Sequence, residues 1–488
     1  MKTINSIHFV GIKGVGMTPL AIIAKQAGII VTGSDNGKIF ITDSALDQVG
    51  INTIYTKFSP DHIGDVDLVV TTVAHDGLKN PEVIAAKEKG IPVWTQAEAV
   101  GEFMKGEIFR KKFEGISVTG THGKTTTTSM IATLLQQAGL DPSYVIGTSS
   151  IPSLKNNGLP GNLGQGNYFI AEADEYVGEY EEDGEIKKQT RFLWQRPKYL
   201  IMTSLELDHP DVYASIEEIE KSFLQFAKQL PEDGVLIYNG DDERLQKIAE
   251  QIKCKKITYG LGRINKELIY IAGDIEDFGT DGTGFSLHEI NQSPYPFSLS
   301  VNGEHNVLNA LATFCLGKVI GLTSDQIQKG LQRFRGSKRR LEKVIPTNLL
   351  LPTDPIYYDD YAHHPTEIKA TLKTVRSMHP DYYIVCIFQP HTYSRTKALF
   401  NEFAHAFEDC DEVILTDIFP SAREQADPSV TSSLLAEAVT KAGGKAMYQA
   451  KLPDVVKYLQ QQQFPAKTII VTMGAGDVYK IYEKNQTN

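Results

Sequence analysis

The chain has 488 residues, about three times the usual ~150-residue domain, so one hydrophobic core does not serve all of it. Hydrophobic residues make up 41% and charged residues 22%, the balance of an ordinary globular protein rather than a disordered or fibrous one. The formal net charge is -11 and the sequence has no long run of Lys and Arg. These features exclude the basic surface that is typical of a nucleic-acid-binding protein.

The four cysteines and the N-terminal sequence argue against a disulfide-bonded, a zinc-binding and a membrane protein. Cys254, Cys315, Cys386 and Cys410 lie far apart without a C-x-x-C pair, which argues against a disulfide framework and a zinc site. They are better interpreted as buried small apolar residues. The chain starts without a charged-then-apolar signal, and no stretch reaches ~18 apolar residues. We therefore expect a cytoplasmic protein that acts on neither membranes nor nucleic acids.

Apolar strand-like segments alternate with helical ones in three successive blocks. The first block reads IHFVGI, TPLAIIAKQAG, IIVTGSD, DLVVTTVA, NPEVIAAKEKG and IPVWT, the pattern of β-α-β units with a parallel sheet. A second block starts at Gly115, and a third near Pro355 contains four apolar strands. The sequence predicts an α/β fold with a Rossmann-like N-terminal domain (1–108), a central P-loop ATPase-type domain (109–334) and a Rossmann-like C-terminal domain (335–488).

Residues 177–191 are dense in Glu, Lys and Gly, and this composition predicts a solvated surface loop.

The most specific motif is GTHGKT, which follows the apolar strand ISVT and precedes the helix that begins TTTTSM. Backbone N–H groups and a helix dipole would bind phosphate there. Lys124 would contact the β- and γ-phosphates, and the Thr125 hydroxyl would ligate Mg²⁺. Val118 stands where the full G-x-x-x-x-G-K-[ST] pattern has glycine, so a chance glycine turn stays the alternative. The predicted ATP-binding loop consists of Gly120, Thr121, His122, Gly123, Lys124, Thr125 and Thr126.

Acidic residues and one histidine follow two later strands. The segment NYFIAEADEY ends in carboxylates, and YLIMTSLELDHPD ends in Asp208, His209 and Asp211. Strand C-termini are where an α/β sheet places its chemistry. Mg²⁺ prefers carboxylates, phosphate oxygens and water, and a second cation could accept an imidazole. Solvated acidic caps and a structural histidine would explain each segment alone, but their order behind the phosphate loop favours a metal site.

Seven segments carry a resemblance to one family over essentially the whole chain: GTHGKTTTT, EADEY, LDHPD, GEHNVLNALA, RRLE, DDYAHHPTEI and FQPHTYSRT. In this order they resemble the Mur ligases. The resemblance implies an ATP-dependent enzyme that forms an amide bond, with ATP as co-substrate and Mg²⁺ as cofactor. It implies that Thr125 and Glu172 bind a first Mg²⁺ and His209 a second. Lys124, His209 and Arg340 would form the catalytic group.

The same resemblance assigns the remaining nucleotide contacts. His305, Asn306 and Asn309 would contact adenine, although the HNVLNALA segment is also consistent with a capped helix in the core. Arg340, or its neighbour Arg339, would reach the ATP phosphates from the third domain, and Asp360 would bind the ribose.

The N-terminal segment VGIKGVGM resembles the UDP-binding loop of the family. Its glycine spacing is G-x-x-G-x-G rather than G-x-G-x-x-G, so a nicotinamide dinucleotide site is disfavoured. The residues expected to bind the UDP part of a substrate are Gly11, Gly14, Gly16, Met17, Ser34 and Asp35.

HHPTEI followed by QPH-x-Y-x-R-T is typical of the members that join L-alanine to the lactyl carboxylate of UDP-N-acetylmuramate, in peptidoglycan precursor synthesis. His391 and Arg395 would then contact the amino acid, although position 392 is Thr where many such relatives carry Arg. The alternative is the recycling member that joins the tripeptide L-alanyl-γ-D-glutamyl-meso-diaminopimelate to the same nucleotide. A nucleotide-binding ATPase without a second substrate is a further alternative. We expect UDP-N-acetylmuramate, L-alanine and ATP as small-molecule partners of a monomer or weak homodimer.

Overall fold

The computed structural model describes residues 3–182, 185–263, 268–290, 292–349, 351, 354–420 and 424–483. Three sheets of five, ten and six strands follow one another along the chain, and a two-stranded sheet accompanies the second. Helices pack against the three large sheets, so the predicted α/β fold in three parts is confirmed. The domain limits 1–108, 109–334 and 335–488 stay predictions.

The first sheet is parallel, because its apolar strands are covered by helices on both faces. Its elements are β1 (Ser6–Val10), α1 (Thr18–Gln26), β2 (Ile30–Ser34), α2 (Asp43–Gln48), β3 (Ile54–Tyr55), β4 (Leu68–Thr71), α3 (Pro81–Glu88), β5 (Val93–Thr95) and α4 (Gln96–Lys105). The strand order is β3-β2-β1-β4-β5. The sequence did not predict β3, since two residues carry no periodic pattern.

The second sheet has a parallel centre and an antiparallel margin at each side. Its strand order is β17-β16-β15-β14-β13-β12-β6-β9-β7-β8, so β6, which leads into the phosphate loop, lies between β12 and β9. The elements are β6 (Glu114–Thr119), α5 (Lys124–Gln137), β7 (Ser143–Val145), β8 (Gly161–Asn162), β9 (Tyr168–Glu172), β10 (Val177–Glu182), β11 (Glu185–Thr190), β12 (Tyr199–Met202), α6 (Ile216–Ala227), β13 (Val235–Asn239), α7 (Glu243–Glu250), β14 (Lys255–Gly260), β15 (Tyr270–Asp277), β16 (Thr283–Glu289), β17 (Tyr295–Leu299), α8 (Glu304–Val319) and α9 (Ser324–Leu331).

The third sheet contains the four strands predicted after Pro355, which are now β19, β20, β21 and β23 of the following set: β18 (Glu342–Val344), β19 (Ile356–Asp360), α10 (Pro365–Met378), β20 (Tyr383–Phe388), α11 (Tyr393–Ala398), α12 (Phe400–Ala404), β21 (Glu412–Leu415), α13 (Ser432–Lys441), β22 (Ala446–Tyr448), α14 (Leu452–Gln461) and β23 (Thr468–Met473). The strand order is β18-β19-β23-β20-β21-β22, and only β18 runs antiparallel to its neighbour.

The prediction of a surface loop over residues 177–191 was wrong. β10 and β11 pair there as an antiparallel hairpin in continuous register. Glu179 and Lys188 are opposite each other with 3.8 Å between the charged groups, and the Tyr180 ring packs edge-on against Trp194. Opposite charges on facing strands stabilise a hairpin, but in sequence they have the composition of a solvated loop.

All four cysteines are free; Cys254, Cys315 and Cys386 are buried and Cys410 is half-buried. Burial raises the pKa of each thiol, which keeps these side chains uncharged and unreactive. Among the residues described, no helix has the length and apolar composition needed to cross a bilayer.

The first two sheets meet where α1 packs against β8. A Cβ atom at Gly161 would lie 2.3 Å from the carbonyl oxygen of Pro19 and 2.7 Å from its Cα. The obstacle is backbone, which cannot rotate away as a flexible side chain can. A residue without a side chain is therefore required for this close approach.

We predict that Gly161→Ala pushes α1 away from β8 and destabilises the protein by about 1–3 kcal/mol, the usual cost of overpacking. Calorimetric unfolding should show a lower first transition for this variant. Gly64→Ala is the matched control, because an added Cβ at Gly64 meets no atom within 4 Å. Equal transition temperatures for the two variants would contradict the prediction.

Candidate active site

A cavity of about 1020 Å³ separates the central sheet from the C-terminal one. The phosphate loop, the segment after β12 and α8 form one wall, while residues around β18, the end of β19 and α10 form the other. Many of the residues predicted to bind ATP line this one space: His122, Gly123, Thr126, His305, Asn306, Asn309, Arg340 and Asp360.

The phosphate loop connects β6 to α5 through two glycines in conformations that disfavour other residues. Gly120 has φ +139°, and a Cβ there would lie 2.0 Å from Thr203 Oγ1. Gly123 has φ +80°, and a Cβ there would lie 2.4 Å from Asn309 Oδ1. Because α5 begins at Lys124, its N-terminal N–H groups and the positive end of its dipole lie at the loop.

Lys124 is held by oxygen atoms on both sides of the loop. Its Nζ donates to the Gly120 carbonyl at 2.6 Å and to Glu175 Oε1 at 2.9 Å. Burial lowers the pKa of Lys124, but the charges of Glu175 and Asp174 more than compensate and raise it above its ordinary value. The lysine therefore presents a permanent positive charge at the loop.

Thr125 and Glu172 lie together, as the sequence predicted for a metal site. Thr125 Oγ1 donates to Glu172 Oε2 at 3.1 Å, and Glu172 Oε1 accepts from the Gly147 N–H at 2.8 Å. Burial raises the pKa of Glu172, although the Gly147 N–H and the charge of Arg340 oppose this. A hydroxyl and a carboxylate at this separation are hard oxygen donors of the kind Mg²⁺ accepts.

His209 lies beside a second group of acidic side chains. One potential ligand atom from each of Asp174, Glu175 and His209 falls within 4.8 Å of the others. His209 Nε2 is 3.5 Å from Glu175 Oε1, and Asp174 also pairs with Arg191 at 2.5 Å. Two carboxylates and an imidazole could hold a divalent cation. The sequence singled out His209 but not Asp174 or Glu175 as a ligand, because the direction of each side chain beyond a strand end is not readable.

The two neighbouring arginines have different surroundings. Arg340 Nη2 reaches across the cavity to donate to Thr125 Oγ1 at 3.3 Å. Arg339 is buried, donates to Asp359 Oδ2 at 2.9 Å and to the Gly474 carbonyl at 2.6 Å, and so ties the C-terminal sheet together. Arg340 is thus the one that faces the phosphate loop.

Asp360 lines the cavity with its carboxylate already engaged by backbone. Its oxygens accept from the N–H groups of Leu341 and Ala362, both at 2.8 Å. Burial raises its pKa to about 6, despite the nearby charge of Arg340.

The three predicted adenine contacts lie on α8 next to the phosphate loop. Asn309 Oδ1 accepts from Thr127 Oγ1 at 3.1 Å, and its amide donates to Asn306 Oδ1 at 3.3 Å. Burial lowers the pKa of His305 to about 4, so its ring is neutral at pH 7. Asn309 thus fixes α8 against α5, while His305 and Asn306 border the open space.

The predicted amino-acid contacts meet the loop after β12. Arg395 Nε donates to Asp208 Oδ1 at 2.7 Å, and both side chains are at most 6% exposed. Arg395 Nη1 also donates to the His391 carbonyl at 3.1 Å. Burial opposes ionisation of Asp208, but the charge of Arg395 holds its pKa well below the usual range. Arg395 therefore faces the central sheet from α11, in a buried ion pair.

The N-terminal glycine loop lies at the ends of β1 and β2. Gly11, at φ +79°, donates its N–H to the Ser34 carbonyl at 2.8 Å. The Ser34 hydroxyl donates to the buried carboxylate of Glu82, and Asp35 accepts from the Lys13 N–H at 2.9 Å. The structure thus brings together all the residues predicted for the UDP part: Gly11, Gly14, Gly16, Met17, Ser34 and Asp35.

A second cavity, of about 450 Å³, opens between the N-terminal and central sheets. Thr72 and Asp76 line one side, and Tyr176 and Asp211 line the other. The Tyr176 ring stands perpendicular to that of His209 with 5.1 Å between centroids, so this cavity approaches the cation group. Of these lining residues the sequence pointed to Asp211 alone, as a carboxylate after a strand, since loops from different sheets form the space.

His122 makes a contact that the sequence did not predict. Its Nδ1 is 3.2 Å from Glu367 Oε1, and its Nε2 is 3.5 Å from Glu206 Oε2. Burial lowers the pKa of His122, but its interactions with Glu206 and Glu367 outweigh burial and raise it to about 10. Glu206 lies in the LELDHPD segment and Glu367 in the HHPTEI segment. Glu367 is also the third residue of a capped helix, so its sequence position indicates helix capping and not a contact with His122.

A phosphate loop that faces a second α/β domain across a large cavity defines a nucleotide-dependent enzyme of several domains. Three family models match the chain in order: "Mur ligase family, catalytic domain" over residues 6–107, "Mur ligase middle domain" over 118–317, and "Mur ligase, glutamate ligase domain" over 339–476. The chain belongs to the Mur ligase family, and it is an enzyme of the ligase class.

Similar proteins cover nearly the whole chain. UDP-N-acetylmuramate--L-alanine ligase of Desulfitobacterium hafniense is 38% identical over 97% of this chain and 98% of its own, and that of Acetivibrio thermocellus is 40% identical over 98% and 94%. Among solved structures, UDP-N-acetylmuramate-alanine ligase of Thermotoga maritima has 27% identity and a TM-score of 0.75, covering 98% of this chain and 97% of its own. A murein peptide ligase of Psychrobacter arcticus has 25% identity and a TM-score of 0.68, with the same coverage.

We predict that the His122 contacts stabilise the protein in a pH-dependent way. Because the folded pKa is raised from 6.5 to about 10, the stabilisation is complete below about pH 6.5 and is lost as pH rises through about 10. The unfolding temperature of the wild type should therefore fall more between pH 7 and 10 than that of His122→Gln. The exposed His405, changed to Gln, is the control. Parallel pH profiles for wild type and His122→Gln would contradict this interpretation.

Proposed function

We propose that this ligase joins L-alanine to the lactyl carboxylate of UDP-N-acetylmuramate at the expense of ATP, a step in peptidoglycan precursor synthesis. The similarity to L-alanine-adding relatives over nearly the full chain supports this choice of substrates. The observation that carries the proposal is that the phosphate loop and Arg340 of the C-terminal sheet meet at Thr125 across one cavity. Such a site brings a phosphoryl donor and a second substrate together.

The proposed reaction has two steps. A lactyl carboxylate oxygen attacks the γ-phosphorus of ATP, and the bond from that phosphorus to the ADP oxygen breaks. The alanine amine then attacks the acyl phosphate carbon, phosphate leaves with its bonding electrons, and the nitrogen loses a proton. The protein needs no nucleophile of its own, and its contribution is positioning and charge stabilisation.

Cationic groups of the chain would stabilise the charge that develops during phosphoryl transfer. Lys124 would move from Glu175 to the phosphates, and Arg340 would contact them from the opposite wall of the cavity. Thr125 and Glu172 would hold one Mg²⁺ and His209, with its acidic neighbours, another. When bound, these ions would neutralise charge on the transferred phosphoryl group and align the oxygens for displacement.

The nucleotide-sugar substrate would extend from the N-terminal glycine loop towards His209. Gly11 and its loop would bind the UDP part, and the 450 Å³ cavity would hold the sugar. Tyr176 and Asp211, on the far side of that cavity, lie where the lactyl carboxylate would approach the cation group.

The amino acid would bind at His391 and Arg395, next to the loop after β12. Asp208 keeps the Arg395 guanidinium charged and oriented through Nε. Nε contacts Asp208 and both described contacts of Nη1 are to His391, so Nη2 is the nitrogen that a substrate carboxylate would use. A guanidinium can thus bind Asp208 and a substrate carboxylate through different nitrogens at fixed positions, which the single nitrogen of an ammonium group does not provide.

The proposed substrates can be tested by phosphate release with ATP and UDP-N-acetylmuramate. We expect turnover with L-alanine to exceed that with glycine, L-serine or the tripeptide L-alanyl-γ-D-glutamyl-meso-diaminopimelate, and we expect no release without an amine. Lys124→Ala is the inactive control, because loss of a positioned charge at a transferring phosphoryl group costs orders of magnitude in rate. A preference for the tripeptide would indicate the recycling reaction, and amine-independent release would indicate a simple ATPase.

We predict that Arg395→Lys raises the KM for L-alanine at least about tenfold, roughly 1.4 kcal/mol, and leaves the KM for ATP nearly unchanged. Lysine keeps the charge beside Asp208 but loses the separate Nη2 nitrogen that would hold the substrate. Lys397→Arg is a control in the same helix, since Lys397 is exposed and pairs with Asp427 on the surface. Unchanged alanine kinetics in folded Arg395→Lys would rule out this role.

A further inference from the structure

We propose that His122, Glu206 and His364 form a binding site for a divalent transition metal ion such as Zn²⁺ between the phosphate loop and the C-terminal sheet. The site is separate from the oxygen-rich Asp174, Glu175 and His209 group. It does not depend on the identity of the ligase substrates.

The three side chains converge from two walls of the nucleotide cavity. His122 Nε2 is 3.5 Å from Glu206 Oε2, and His364 Nδ1 is 3.8 Å from the same oxygen. The two imidazole rings are 4.8 Å apart between centroids, and one ligand atom from each residue lies within 4.8 Å of the others. Ligand atoms around a tetrahedral ion with bonds of about 2.1 Å are roughly 3.4 Å apart, so small side-chain movements would complete the site.

The imidazole nitrogens at this place are poorly satisfied by the protein. His122 Nε2 and His364 Nε2 are buried, and neither has a hydrogen-bond partner of normal geometry among the described residues. His364 Nδ1, in contrast, accepts from the Thr366 N–H at 3.3 Å, so the ion would either replace that contact or bind Nε2 after rotation of the ring. His364 as a whole is only 5% exposed. A buried polar atom without a partner is costly, and a bound ion would remove that cost.

A supporting carboxylate is already in position behind His122. Glu367 Oε1 lies 3.2 Å from His122 Nδ1, on the opposite side of the ring from Nε2. Metal-binding histidines usually donate their second ring N–H to a carboxylate, which fixes the ring and strengthens the ligand. The ion would replace the proton that His122 Nε2 carries, and that proton would pass to solvent.

The donor set determines which cation the site would select. Two imidazoles and one carboxylate match a three-ligand zinc site with one open position, whereas Mg²⁺ prefers oxygen ligands and octahedral geometry. Glu206 remains partly exposed and borders the nucleotide cavity, so the open position would face that space. Because His364 belongs to the C-terminal part and His122 to the phosphate loop, the ion would tie the two walls together.

Zn²⁺ titration of the full chain by calorimetry, without nucleotide, tests the proposal. A His209→Ala background removes the imidazole of the other cation group. We expect one Zn²⁺ to bind this background, and we expect His364→Ala or Glu206→Gln, added to it, to weaken binding at least tenfold. Mg²⁺ should not compete. His405→Ala, at an exposed histidine of the C-terminal part, should leave Zn²⁺ affinity unchanged.

The unfolding temperature of each variant, recorded with and without Zn²⁺, distinguishes a change in folding from the loss of a metal-binding side chain. Zn²⁺ should raise the unfolding temperature of the His209→Ala protein, and this increase should be smaller in both added variants even if one of them is less stable. Zn²⁺ affinity that neither His364→Ala nor Glu206→Gln reduces would overturn the proposal. Zn²⁺ binding that His209→Ala alone abolishes would overturn it equally.

Discussion

The candidate active site depends on charged side chains that are buried away from water. Each of them needs a partner, because a buried charge without one is strongly destabilising. Two of these contacts cross between domains. Arg395 meets Asp208, and Glu367 meets His122, so each domain supplies what the other would otherwise leave unpaired. The relative position of the central and C-terminal sheets in this structure is therefore stabilised by electrostatics as well as by shape. These contacts lie around the cavity between the two sheets and leave its centre open.

The same arrangement determines how nucleotide would enter. Lys124 is held by Glu175, and Thr125 by Glu172, so the phosphate loop is lined by carboxylates as well as by N–H groups. A triphosphate alone would bring negative charge towards these carboxylates. Cations that arrive with the nucleotide would convert the carboxylates from a repulsive surface into ligands. In the proposed function, the metal ions thus contribute to binding as well as to phosphoryl transfer.

Local features of the site were readable from sequence, whereas pairings between distant segments were not. The phosphate loop was predictable because strand, glycines, lysine and helix are contiguous, and the fold was predictable from repeated strand and helix patterns. His122 and Glu367 are 245 residues apart, and neither segment contains a pattern that predicts contact with the other. The β10-β11 hairpin was missed for the opposite reason, since its cross-strand charge pairs have the composition of a loop.

Arg340 and Thr125 belong to different domains, yet they share a hydrogen bond at the mouth of the phosphate loop. Thermodynamic linkage gives this contact a consequence for binding affinity. A ligand that favours approach of the two walls, wherever it binds, raises the affinity of the phosphate loop for nucleotide by some factor. Nucleotide at the loop must then raise affinity for that ligand by the same factor. Two ligands that both favour the closed cavity therefore bind cooperatively. This cooperativity does not require either ligand to contact the residues that bind the other.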